Sequence, residues 1–186
     1  MIRRPLLLAS ALLAAIGLSG CKEESAAPQA AATPAAESFH WKMVTAWPKN
    51  YPGLGTAAER LAERVKTMSN GRLTIKVYAG GELVPPLEVF DAVSRGTAEL
   101  GHGAAYYWKG KVPAAQFFTA VPFGLSTSEM NAWLSKGGGQ ALWDEAYAPY
   151  GVKPMVVGNT GMQMGGWYNK EIKSLEDLKG LKIRIP

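Results

Sequence analysis

This 186-residue sequence has one cysteine, Cys21, and two histidines, His40 and His102. A single thiol forms no internal disulfide. These three residues are too few for a His/Cys metal cluster. No HExxH, GxSxG or GxxxxGKS stretch occurs, so zincin, serine-hydrolase and phosphate-loop chemistry have no motif to rest on. Nothing in the sequence places either histidine beside a Ser or Cys nucleophile. Gly101-His102-Gly103 and Gly137-Gly138-Gly139 are glycine-rich but lack dinucleotide-loop spacing, and both read as turns. After residue 20 no apolar run is long enough to cross a bilayer. The formal charge is +5, and Arg3 and Arg4 supply two of those charges. The other basic residues are scattered, which argues against nucleic-acid binding. The inventory favours a binding protein over an enzyme.

What is present begins at the N-terminus. Met1, Ile2, Arg3 and Arg4 form a basic n-region, and residues 5–18 form an apolar stretch of signal-peptide length. It ends in Leu18-Ser19-Gly20-Cys21. This resembles the bacterial lipoprotein box, in which the chain is cut before the cysteine and the cysteine is acylated. The expected organisation is a signal peptide over 1–20, then the lipidated Cys21 and a flexible tether over 21–38. The competing account is an ordinary secretory signal with a stray cysteine. Residues 22–38 are mostly Ala, Pro, Glu, Ser and Gln, too polar and small to offset their ordering entropy. The expected location is the periplasm, with the protein anchored to a membrane by its lipid.

A fold begins at Phe39. Alternation predicts a strand over 39–47. Leu54, Ala58, Leu61, Ala62, Val65 and Met68 recur at helical spacing, and Asn70-Gly71 ends that helix. Residues 73–78 read as a second strand. Pro85-Pro86 start a helix running through Leu87, Phe90 and Val93. Residues 98–103 read as a third strand. This β-α-β-α-β order predicts an α/β fold with a parallel sheet and helices on both faces. Further helices are expected near 113–120, 128–136 and 140–148. Strands are expected over 152–157 and 162–168, a short helix capped by Ser174, and a last strand at 181–185.

Ligands of open α/β sheets sit beyond the carboxyl ends of strands. Trp47, Tyr106, Tyr107, Trp108 and Gln163 fall at such places. An aromatic cleft with one cation suits a small organic anion. Ordinary packing is the competing account of each aromatic. In Leu181-Lys182-Ile183-Arg184-Ile185, the two cations share one strand face. Solvent cover explains Lys182, whereas Arg184 lies nearer the strand's carboxyl end. Its guanidinium can give a carboxylate two parallel hydrogen bonds.

The folded part resembles the substrate-binding proteins of tripartite ATP-independent periplasmic (TRAP) transporters. The stretches that carry the resemblance are MVTAWPKNYPGLGTAAERLAERV, SNGRLTIKVYAGGELVPPLEVFDAVSRGTAELGHGAAYYW, FFTAVPFGLS and VGNTGMQMGGWYNKEIKSLEDLKGLKIRIP. The resemblance implies a periplasmic-binding-protein-like fold of two α/β lobes, with most of the first lobe over 39–159. Only the start of the second lobe, 160–186, is then present, so the chain looks truncated at its C-terminus. LEDLKGLKIRIP implies that Arg184 is the carboxylate-binding arginine. NTGMQMGGWYNKEI is most similar to the branch that binds 2-oxo acids such as pyruvate beside a sodium ion, and implies that Gln163 faces both ligand and Na+. Met162 stands where some sialic-acid binders carry a second arginine. The implied partners are a small organic acid and the TRAP membrane subunits. A homodimer of the full-length protein is compatible. No cofactor beyond Na+ is implied. The rival readings are a binding protein of an ATP-driven importer, an exported non-transport enzyme and an envelope structural lipoprotein.

Overall fold

A computed structural model of the protein describes residues 37–183. The expected signal peptide, Cys21 and almost all of the expected tether lie outside the described residues, and so does Arg184.

The first strand, β1 (Phe39–Thr45), has Met43, Val44 and Thr45 buried in succession. Neighbouring strand residues point to opposite faces, so both faces of β1 are covered at its carboxyl end. The helix α1 (Leu54–Met68) follows. It ends in a Schellman closure, with Gly71 N–H donating to Lys66 O at 2.8 Å and Asn70 N–H to Thr67 O at 3.1 Å. Asn70 and Gly71 adopt positive φ there, at 52° and 77°, which is the left-handed turn the Asn-Gly pair favours. The chain returns as β2 (Leu73–Tyr78), makes a 3-10 turn at Pro86–Glu88 and enters the short helix α2 (Val89–Ser94). A third strand, β3 (Leu100–His102), completes the sheet. All pairings are parallel, in the order β2-β1-β3, with Met43 opposite both Val77 and Leu100.

Val44 joins the main core with Val89, Phe90, Ala92 and Ala98. Met43, Ala58 and Ala62 are buried too but stand outside that cluster. The sheet is therefore packed by α2 on one face and α1 on the other, as the βαβ order predicts.

The helical half of the core is aromatic. The helix expected near 113–120 is a 3-10 segment, Pro113–Phe118. Then come α3 (Thr127–Lys136) and α4 (Gly139–Tyr147). Ser126 opens α3 with a capping box, its N–H donating to the Glu129 carboxylate at 2.8 Å. Phe118 is stacked between Trp133 and Trp143, with centroids 5.8 and 5.3 Å away and planes within 9°. The Trp108 indole N–H donates to the Tyr147 hydroxyl at 2.8 Å. Phe90 meets Tyr147 edge-on at 5.2 Å.

Two expected strands do not form, and a third, the last, is described only in part. Residues 152–157 and 162–168 are irregular, and so are 181–183, the described part of the last one. A strand exists only where a neighbour satisfies its backbone groups, and among the described residues the sheet has three strands. Pro154 moreover has no N–H to give to a ladder. Ser174 does cap the following turn as expected, with Asp177 closing a capping box over the 3-10 segment Leu175–Leu178.

Candidate functional site

The carboxyl ends of β1 and β3 lie side by side, and an aromatic cluster stands on them. Ala46 N–H donates to His102 O at 2.9 Å, extending the ladder by one step beyond β1. The next residue, Trp47, is held at its backbone. Its carbonyl accepts from Gly80 N–H at 2.8 Å and from the Thr45 hydroxyl at 3.0 Å. Its ring lies 5.7 Å from Tyr107, 6.2 Å from His102 and 6.5 Å from Tyr51. Tyr106 meets Tyr107 edge-on at 4.9 Å.

Trp47 is thus brought together with Tyr106 and Tyr107, which lie some sixty residues further along the sequence. Both tyrosines belong to the 3-10 turn Ala105–Trp108 that leaves β3. Two members of the cluster, His102 and Tyr51, escaped the sequence reading. Leu100, Gly101 and His102 form β3, within the strand expected over 98–103, so the glycines beside His102 do not make the turn that their composition suggests. Those glycines serve close packing. A β-carbon on Gly101 would stand 2.8 Å from methyls of Val89 and Val93, and one on Gly103 would stand 2.6 Å from the Trp108 ring. The available signal was the position of His102 at the end of an apolar segment, where α/β ligands gather.

The two ring nitrogens at the centre of the cluster are shielded from water. Burial holds the His102 imidazole below the usual histidine range, so the ring is neutral at neutral pH. His102 Nδ1 and Trp47 Nε1 are both buried and have no hydrogen-bond partner among the described residues.

Gln163 is elsewhere. It lines an open hollow of about 770 Å³ together with Trp167, Tyr168, Leu181, Lys182 and Ile183. Trp47, Tyr106 and Tyr107 do not line that hollow. Lys182 is exposed. The Gln163 amide nitrogen donates to the Thr160 hydroxyl at 2.9 Å. That bond occupies the nitrogen and leaves the carbonyl oxygen, a hard donor, as the end suited to a group-I or group-II cation. No group of three or more His, Cys, Asp or Glu side chains converges among the described residues. Gln163 thus fits a cation as one ligand of several.

Comparison with known proteins gives this arrangement its setting. Residues 43–186 match the family described as bacterial extracellular solute-binding protein, family 7. The chain belongs to that family. It is 48% identical over 189 residues to a monocarboxylate 2-oxoacid-binding periplasmic protein of Nostoc sp. strain PCC 7120, covering 100% of this chain and 50% of the relative. Among solved structures, the TRAP periplasmic solute-binding protein of Pseudoalteromonas atlantica T6c, with bound sodium and pyruvate, superposes with a TM-score of 0.78 at 47% identity. That match covers 81% of this chain and 46% of the other. The counterpart from Colwellia psychrerythraea, with bound calcium and pyruvate, gives 0.78 at 49% identity over the same shares. A third, from Bordetella bronchiseptica RB50, with calcium and picolinate, gives 0.77 at 43% identity, covering 80% of this chain and 44% of that one. The chain therefore spans about half the length of these relatives. The α/β fold with its parallel sheet is the fold of family 7, and the family is one of extracytoplasmic solute binding.

Proposed function

We propose that the protein is an extracytoplasmic solute-binding lipoprotein that captures a small 2-oxo monocarboxylate, with a sodium ion beside it, and delivers it to the membrane subunits of a TRAP transporter. It rests in the periplasm, anchored through acylated Cys21, and the acid's carboxylate is taken by Arg184. Trp47, Tyr106 and Tyr107 wall the ligand on the side of the first lobe, 39–159. Gln163 supplies a carbonyl oxygen to the cation from the start of the second, 160–186. The protein carries out no catalysis.

The observation that carries this reading is the aromatic cluster on the carboxyl ends of β1 and β3, in a chain nearly half identical to relatives crystallised with such acids. The acids in those relatives add a chemical argument. Pyruvate and picolinate each have a carboxylate with a second acceptor on the adjoining carbon, a keto oxygen in one and a ring nitrogen in the other. Such a pair can close a five-membered chelate on a cation. Propionate and benzoate keep the carboxylate but lack the second donor.

The test is calorimetry on the protein expressed from its complete reading frame, with pyruvate, picolinate, propionate and benzoate in sodium, calcium and choline buffers. Pyruvate should bind more tightly in sodium than in choline, and Gln163→Ala should weaken that dependence. Equal affinity in all buffers would remove the cation from the proposal. Failure of every acid to bind would overturn the reading of function.

A further inference from the structure

Two polar atoms in the cluster have no hydrogen-bond partner among the described residues. Nearly all buried donors and acceptors in native structures have a partner, so an orphan calls for an explanation. Trp47 Nε1 and His102 Nδ1 are both orphans, and their rings are neighbours at 6.2 Å. Loose local structure does not explain them. The backbones of both residues are hydrogen bonded, Trp47 through Gly80 and Thr45, and His102 through Ala46. The glycines on either side of His102 let the strand sit hard against Val89, Val93 and Trp108. The backbones that carry both rings are thus held, and the two ring nitrogens have no partner among the described residues.

We infer that Trp47 Nε1 and His102 Nδ1 are the first lobe's polar contacts for the acid, each forming a hydrogen bond with one of its oxygens. This rests on the solute-binding reading above and assigns a polar role within what that reading treats as an aromatic wall. An indole N–H can only donate, so its partner is an acceptor. A neutral imidazole can present N–H at Nδ1, and burial keeps this ring neutral. Both atoms are closed off from bulk water, so an oxygen reaches them only when a flanking ring gives way. Tyr51, about half exposed on the turn before α1 and stacked on Trp47, is the ring we assign to that movement. The arrangement sets stability against function. Leaving a buried polar atom unpaired is costly, whereas an apolar group of the same size in its place is not.

That opposition gives a test with two readouts of opposite sign, made on the protein expressed from its complete reading frame. His102→Leu preserves volume and deletes the nitrogen. It should leave the ligand-free melting temperature equal or higher, while pyruvate affinity falls about tenfold, the worth of one buried hydrogen bond left unmade. His102→Asn places an amide group where Nδ1 stood and should hold affinity within about threefold of the parent. Trp47→Phe removes the second donor and should also lower affinity. The inference is overturned if His102→Leu binds pyruvate as the parent does. It is equally overturned if that variant loses stability and affinity together, since the nitrogen then has a structural partner such as an internal water. A parent protein that binds no acid at all overturns the solute-binding reading instead.

Discussion

A β-carbon placed on Gly103 would stand 2.6 Å from the Trp108 ring and 3.4 Å from the Ala46 β-carbon. The ring is the fixed party, because Trp108 is buried and its indole nitrogen is tied to Tyr147 at 2.8 Å. Gly103→Ala should therefore destabilise the protein by about 1–3 kcal/mol, the usual cost of overpacking. Urea denaturation measures it. Gly110→Ala, whose β-carbon would meet nothing within 4 Å, is the control and should shift the midpoint little.

The buried imidazole makes stability depend on pH. The folded-state pKa of His102 is lowered from the usual 6.5 by burial. As pH falls, the unfolded chain takes up the proton before the folded one does. The contribution is complete above about pH 6.5 and is lost as pH drops from there through the folded value, with a slope of up to about 1.4 kcal/mol per pH unit. The expected result is a fall in urea-unfolding free energy between pH 7 and pH 5.5 that His102→Leu abolishes. The shifted carboxylates do not mimic it, since Glu99, Glu129, Asp144 and Asp177 are all lowered from values of 4.5 or below.

Arg184, outside the described residues, carries the proposed carboxylate contact. In a closed cleft, removing that partner should cost roughly 2–5 kcal/mol of binding, a loss of thirtyfold or more at about 1.4 kcal/mol per tenfold. Arg184→Ala should therefore abolish measurable acid binding while circular dichroism stays that of the parent. Arg184→Lys should rescue little, because an ammonium lacks the planar fork. Parent-like binding by Arg184→Lys, or a larger loss in Lys182→Ala, would remove the assignment.

Cys21 is the only thiol of the sequence, which makes the proposed anchor simple to test. Cys21→Ser should leave the precursor without acyl chains and move the protein out of the membrane fraction. Labelled palmitate in the mutant would show that the lipid is attached elsewhere.

The sequence was readable where local and tertiary preferences agree. Residues 73–78 alternate and form β2, Asn70-Gly71 closes α1, and Ser174 caps as its side chain suggests. It was misleading where an apolar run depends on a neighbour. Val152, Met155, Val156 and Val157 look like a buried strand, yet Met155 is 71% exposed without a partner ladder. The candidate site was half readable. The strand-end rule pointed to Trp47, Tyr106 and Tyr107. It did not reveal that the Tyr51 turn folds back onto Trp47, nor that His102 stands among them. The Tyr51 contact is made within the turn after β1, whereas the His102 contact comes from β1 and β3 pairing side by side, across more than fifty residues of chain, which no local pattern encodes.

The strand order has a mechanical consequence. Among the described residues β1 is the first element, and β2 and β3 flank it in parallel. A pull arriving at Phe39 from the preceding residues runs along the strand axis. It loads rungs on both sides of β1 in shear, so they must yield together rather than peel one by one. A domain held by its N-terminus against drag therefore hangs from the best-braced strand of its sheet.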